Sequence, residues 1–162
     1  MKTAFPPLAH TQSKILILGT MPGERSLQLQ QYYGNRQNQF WKLLFAIMQR
    51  PLSDDYSERI ALLREKHIAL WDVLAGCERE GSLDSKIKNP VPNDFESFYS
   101  THPKIKAVFF SSKNAEHLYS KLVGKRADIE YYVLPSPSGA NASQTFAQKL
   151  EQWSIIKDFV AQ

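Results

Sequence analysis

Four short apolar runs, each too brief for a helix and most of them followed by a segment of helical period, constrain what this chain can fold into. Lys14-Ile-Leu-Ile-Leu18 runs without a polar break into Gly19, the pattern of a strand buried on both faces. Ile68-Ala-Leu-Trp-Asp-Val73, Ile105-Lys-Ala-Val-Phe-Phe110 and Ile129-Glu-Tyr-Tyr-Val-Leu134 read as three more strands. Gln39 to Gln49 predicts a helix with Phe40, Leu43, Leu44 and Ile47 on one face and Asn38 as its N-cap. Further helices are expected over Asp55–Lys66, Asn114–Leu122 and, amphipathic, Ser143 to Val160. Strands alternating with helices imply an α/β fold, a three-layer α/β/α arrangement around a central four-stranded, mainly parallel sheet. The 162 residues fit one domain, 1–162, with room for a full core.

Ligands of such sheets bind beyond the carboxyl ends of the strands, so function is sought after Leu18, Val73, Phe110 and Leu134. Leu18 leads into Gly19-Thr-Met-Pro-Gly23, a turn too rich in Gly and Pro to begin a helix. Roughly 30 residues separate the second and third strands, a long connection for a compact domain and therefore one to suspect of function. It carries Glu80-Gly-Ser-Leu-Asp-Ser85 and Asn89-Pro-Val-Pro-Asn93, both rich in small hydrogen-bonding groups. Leu134 leads into Pro135-Ser-Pro-Ser-Gly-Ala-Asn141, whose hydroxyls and backbone amides suit phosphates.

Composition and motifs exclude several classes. Residues 1–50 carry six Lys/Arg against the lone Glu24, residues 51–100 six against ten Asp/Glu, and residues 101–162 eight against five. A basic face built from the two ends of the chain would suit a polyanion, although scattered solubilising charge accounts for the same counts. No apolar run approaches the ~18 residues of a membrane span, and the N-terminus lacks a signal-peptide core. Cys77 is the single cysteine, which rules out an internal disulfide framework and reads as a buried small residue. A soluble, cytoplasmic protein is expected. No G-x-x-x-x-G-K-[ST], post-strand G-x-G-x-x-G or G-x-S-x-G is present. The four histidines are dispersed, so neither a metal nor another cofactor is expected.

The segment GTMPGERSLQLQQYYGNRQNQFW, from Gly19 to Trp41, resembles the first motif region of the uracil-DNA glycosylase superfamily. There a Gly-x-x-Pro-Gly turn closes the first strand, an aromatic stacks on a flipped base, and Asn-x-Phe-Trp opens the next helix. Tyr33 falls on the stacking position and Asn38 on the Asn before Phe40-Trp41. Leu134-Pro-Ser-Pro-Ser-Gly-Ala-Asn141 resembles the second motif, a Pro-Ser loop gripping the DNA backbone. Leu70-Trp-Asp-Val73 with Gly81-Ser-Leu-Asp-Ser85 and Asn93-Asp94 matches a third region. Order and spacing agree over nearly the whole chain and look most like the hypoxanthine-directed branch, the DNA-deoxyinosine glycosylases. There are departures. Met21 stands where classical uracil-excising members place Asn or Asp, and Leu134 where several have His or Asn, both losses typical of the hypoxanthine branch. Asn35-Arg36 stands where that branch commonly has His-Pro, and Ser111-Ser112 replaces a common Asn-Gly.

The resemblance implies a repair enzyme, active at the nucleoid, that hydrolyses the N-glycosidic bond of a deaminated base in DNA, hypoxanthine first and uracil second. A monomer with DNA containing deaminated bases as its partner is expected. Asn38 is then the candidate catalytic residue, Tyr33, Asp72, Met21 and Ser111 bind the base, and Gly23, Ser85, Ser136, Ser138 and Asn141 hold the DNA. Each assignment has a plainer rival: Asn38 as a helix cap only, Tyr33 as a core aromatic, Asp72 as a cap or ion-pair partner, and the loop residues as turn formers. A catalytically silent module that binds damaged DNA is the alternative function, and retention of Asn38 before Phe40-Trp41 favours the enzyme.

Overall fold

The computed structural model describes residues 1–160. Strand β1 (Lys2–Thr3) opens the chain, followed by β2 (Ile15–Gly19), helices α1 (Glu24–Leu29), α2 (Phe40–Ile47) and α3 (Tyr56–Glu65), and strand β3 (Ile68–Asp72). Next come β4 (Leu74–Glu78), a 3-10 turn (Asp84–Lys86), β5 (Lys88–Pro92), α4 (Phe95–Thr101), β6 (Ala107–Phe110), α5 (Lys113–Leu122), β7 (Glu130–Val133) and α6 (Phe146–Trp153). The four expected strands form one sheet, order β3-β2-β6-β7, and every pairing in it is parallel.

Alternation along the strands builds the layers, because successive side chains point to opposite faces. Ile15, Ile17, Ile68, Leu70 and Phe109 face one side, where Phe40, Leu43 and Leu44 of α2, Leu62 and Leu63 of α3, and Trp153 cover them. Leu16, Leu18, Ala69, Trp71, Val108 and Phe110 face the other, under Phe95, Phe98 and Tyr99 of α4 and Ala115 and Tyr119 of α5. Cys77 is buried in this second core, as expected of it.

Three regions depart from the expected elements. The long connection after Asp72 holds structure of its own: β4 pairs antiparallel with both β1 and β5 in a separate three-stranded sheet, and α4 follows. The Gly19–Gly23 turn does lead straight into a helix, since Gly23 takes the extended N-cap conformation and α1 begins at Glu24. The expected C-terminal helix is shorter, running from Phe146 under a Thr145–Gln148 capping box to Trp153, then tightening into a 3-10 turn, Ser154–Asp158. No helix among the described residues is long and apolar enough to cross a membrane.

Candidate active site

The register of the parallel sheet sets the floor of the site. Gly19 pairs with Asp72 and Leu18 with Phe110, so Gly19, Asp72 and the following Ser111 arrive together at the carboxyl ends of β2, β3 and β6. A cavity of about 550 Å³ opens there, within the ~300–1,000 Å³ range of small-ligand sites. Its wall brings together residues far apart in the chain, from the 19–26, 32–38, 82–84 and 136–141 segments.

Tyr33 forms part of that wall. Its ring stacks on Phe40 with centroids 4.0 Å apart and planes within 13°, and its hydroxyl donates to Ser111 Oγ at 3.2 Å. Phe40 is fully buried and does not line the cavity, so it backs the tyrosine from behind. The backbone of Tyr33 sits at φ 53°, a left-handed conformation costing a side-chain-bearing residue roughly 1–2 kcal/mol. Packing and the hydroxyl bond hold it there. Burial raises the Tyr33 phenol above its ordinary range, and the nearby Asp72 adds to the shift, so the ring is neutral. Tyr32, the neighbouring aromatic, is bound into the scaffold: its hydroxyl donates to Pro6 O and its carbonyl accepts from Trp41 Nε1.

Gly19 is where the backbone must be bare. A Cβ there would lie 2.6 Å from Asp72 Oδ1 and 3.1 Å from the Tyr33 hydroxyl. Asp72 itself is 5% exposed. It caps no helix, and its Oδ2 is sealed away with no hydrogen-bond partner. Burial, then the charge of Asp84, raises its carboxyl to about 7, against a smaller opposing effect of Arg79. Asn93 Nδ2 holds the Asp72 backbone carbonyl at 2.8 Å, fixing the end of the strand.

Asn38 lies half-buried on the cavity wall, two residues before α2. The N-cap is Gln39 rather than the expected Asn38, because the turn at Asn35–Asn38 delays the helix by one residue. Asn38 Oδ1 accepts from Phe40 N at 2.9 Å. A backbone N–H can only donate, so the carboxamide oxygen is fixed on that side and Nδ2 carries the two free donors. The capping and the chemical readings of this residue therefore use different atoms.

The Pro135–Asn141 loop is built by its own side chains. Ser136 Oγ accepts from Ser138 N, Ser138 Oγ accepts from Ala140 N, and Asn141 Nδ2 donates to Ser136 O. Both serine hydroxyls still have their hydrogen to donate. Lys149, buried on α6, ties the loop to α2, donating to Gln39 Oε1 at 3.0 Å and Ser138 O at 3.4 Å. Opposite, Arg79 clamps the first turn, its Nη2 donating to Pro22 O and its Nε to Gly81 O.

Of the residues singled out from the sequence, Met21, Gly23, Tyr33, Asn38, Asp72, Ser111, Ser136, Ser138 and Asn141 all line the cavity. Ser85 does not; it is exposed in the 3-10 turn, and Ser82, Leu83 and Asp84 take the wall instead. The 3-10 turn beginning at Asp84 presents its first residue and the two before it to the cavity, which a motif match alone does not reveal. The charged wall residues are Arg25 against Glu24, Asp72 and Asp84, so the basic excess of the chain ends does not line the cavity. Lys149 and Arg79 escaped notice because buried cations at such positions follow from tertiary contacts, not from local sequence.

An all-parallel α/β sheet with its cavity at the carboxyl edge, walled by a Gly-Pro turn, a backed aromatic and a Ser-Pro loop, defines the class: a small-ligand-sized pocket on a three-layer α/β/α fold. A sequence model of the Uracil DNA glycosylase superfamily matches residues 6–159. A Methanosarcina acetivorans protein named hypoxanthine DNA glycosylase is 37% identical over 158 residues, 96% of this chain and 98% of that one. Its namesake from Methanosarcina barkeri is 37% identical over 149 residues, 91% and 93% of the two chains. The NMR structure of an M. acetivorans protein described as a candidate uracil DNA glycosylase superimposes with a TM-score of 0.83 at 36% identity, covering 96% of this chain and 95% of that one. The chain belongs to the uracil DNA glycosylase superfamily, and it is a DNA glycosylase.

Proposed function

We propose that the chain removes hypoxanthine from DNA, taking the flipped base into the cavity between Tyr33 and Asp72 and hydrolysing its N-glycosidic bond. The single observation that carries this reading is the neutral, Phe40-backed Tyr33 ring lying beside the Asp72 carboxyl in a cavity of base size. The names of the two Methanosarcina relatives support the choice of base.

Extruding a base costs a few kcal/mol, least for a mispaired one, and stacking on an aromatic returns about 1–3 kcal/mol. Tyr33 supplies that platform, with Met21 and Ser111 closing the pocket around the base. Leu83, 61% exposed on the rim, is an apolar side chain of the kind that enters a base stack as a wedge. The hydroxyls of Ser136 and Ser138, with Asn141 and Gly23, hold the strand on either side. Breaking the glycosidic bond leaves positive charge on the sugar and negative charge on the base. The Nδ2 donors of Asn38 face that developing charge, stabilising it as a preorganised amide does in an oxyanion hole. A neutral carboxamide is a weak base, so rate comes from placement and electrostatics. The protein acts as a monomer, with uracil the second substrate.

Alkali-revealed cleavage of labelled oligonucleotides containing deoxyinosine, deoxyuridine or deoxyxanthosine tests the reading. Deoxyinosine strands should be nicked fastest. A chain that binds all three and cuts none would instead be the silent recognition module.

A further inference from the structure

Asp72 is a buried titratable group at the cavity wall. Its two oxygens differ. Oδ2 is enclosed with no hydrogen-bond partner, and Oδ1 lies on the side of Gly19, whose missing Cβ leaves it room. An ionised carboxylate spreads charge over both oxygens, and an enclosed charged oxygen without a donor is strongly disfavoured. A neutral carboxylic acid accommodates the same place, with Oδ2 as its carbonyl and the proton on Oδ1.

The surroundings agree. Asp84, from the 3-10 turn, adds a like charge, and Arg79, whose Nη2 and Nε donate to Pro22 O and Gly81 O while its buried Nη1 bonds to neither Asp72 oxygen, offsets part of it. Tyr32 and Tyr33 present only neutral phenols, both held protonated first by burial and then by Asp72 itself. Ser111 and Gly19 bring no charge. Burial therefore raises the carboxyl to about 7, and a buried acid kept neutral near pH 7 so that it can donate is an established device of active sites.

Resting on the reading that the cavity takes an oxopurine, we propose that Asp72 acts as a carboxylic acid whose Oδ1 hydroxyl donates a hydrogen bond to the ring carbonyl oxygen of the departing base. That oxygen gathers negative charge as the bond between C1′ and the base nitrogen breaks and its electron pair leaves with the base. Water adds its oxygen to C1′; one of its hydrogens stays on the new sugar hydroxyl and the other ends on the base. The Asp72 proton is not consumed. Ionising Asp72 replaces the donor with an acceptor facing the charged oxygen, so the reaction slows.

Single-turnover rates on deoxyinosine DNA across pH 6–9 test this with Asp72→Asn and Asp72→Ala. The wild type should lose rate as pH rises through about 7, approaching tenfold per pH unit. Asp72→Asn keeps an N–H donor that does not titrate, so it should stay within about tenfold of the wild type at pH 7 and lack that fall, the order expected of one donor replaced by another. Titration of the substrate is common to both proteins and cancels in their ratio. Asp72→Ala should be about 10²–10³ slower at every pH below 7. Melting curves give an independent readout. The folded carboxyl holds its proton up to about 7, the unfolded one only to about 3.9, so ionisation opposes folding between these values. Asp72→Asn should therefore gain stability over the wild type as pH rises through that window. A wild type whose rate ratio to Asp72→Asn is constant with pH, or a folded Asp72→Asn as slow as Asp72→Ala, overturns the assignment alone. A wild type inert on deoxyinosine DNA overturns the reading of the base and this assignment with it.

Discussion

Asn38 invites a substitution that separates its two uses, because they fall on different atoms. Its Oδ1 accepts from Phe40 N at the start of α2, as a capping side chain would, although Gln39 is the N-cap. Asn38 lines the cavity, and its Nδ2 bonds to no other group among the described residues. Asn38→Ala removes both. Loss of a capping side chain costs about 1 kcal/mol, which for a chain of this size lowers the melting temperature by about 2–4 °C. Loss of one donor to the developing charge lowers the rate by about 10²–10³. Asn38→Asp keeps the oxygen for Phe40 N, and Asp caps as well as Asn, so melting should match the wild type. The donor is gone, however, and a carboxylate beside a departing anion repels it, so the rate should fall at least as far as in the alanine variant. Single-turnover cleavage of deoxyinosine DNA, melting temperature and DNA affinity measured on the same preparations decide the matter, with affinity changing little because the interaction forms mainly in the transition state. An Asn38→Asp protein that melts and cleaves like the wild type would refute the catalytic reading and leave Asn38 as a cap.

Two further outcomes follow from the same geometry. Tyr33→Phe keeps the ring stacked on Phe40 and loses only the bond to Ser111 Oγ, so it should retain most activity. Tyr33→Ala should lose about 5- to 160-fold in rate, the equivalent of about 1–3 kcal/mol of stacking, and a Tyr33→Ala protein that fails to fold would return this residue to the core. Gly19→Ala places a methyl 2.6 Å from Asp72 Oδ1. It should push the carboxyl out of register and reduce cleavage far more than DNA affinity, checked by comparing single-turnover rate with binding to an uncut strand.

The parts of the fold that could be read in advance are those dictated by local pattern. Strands β2, β3 and β6 are buried along their whole length, so their residues read as near-continuous apolar runs, and Ile15 to Leu18 are all at most 1% exposed; β7, at the sheet edge, keeps exposed Glu130 and Val133. The α2 helix is legible for the same reason, its buried face recurring at helical period. What escaped was set by distant partners. Strand β5, Lys88-Asn-Pro-Val-Pro92, contains two prolines and forms only because β4 offers it an edge. Helix α1 has six residues and a glycine cap without a side-chain bond, too little for propensity to mark. Helix α4 did carry a signal, the Asp94 side chain accepting from Ser97 N, an acidic cap three residues before a polar one.

The same division explains the site. Motif residues reached the cavity where a strand end or a helix start aims them, as with Gly19, Asp72, Ser111 and Asn38. Ser85 missed because it sits inside the 3-10 turn, which leaves its side chain exposed. The residues that make the cavity rigid are of a third kind. Arg79 joins the 19–23 turn to the loop at Gly81, and Lys149 joins the Pro135–Asn141 loop to the start of α2. Each is a buried cation bonded to neutral oxygens rather than to a carboxylate, with Arg79 Nη1 left without a partner, an arrangement that fixes loop positions through two directional bonds at once. Their value lies in what they hold apart. The same segments are tied again by Glu24 N donating to Ser82 Oγ and Gln39 N donating to Pro137 O, so each wall is held against its neighbour by more than one bond and the spacing between Tyr33 and Asp72 is kept.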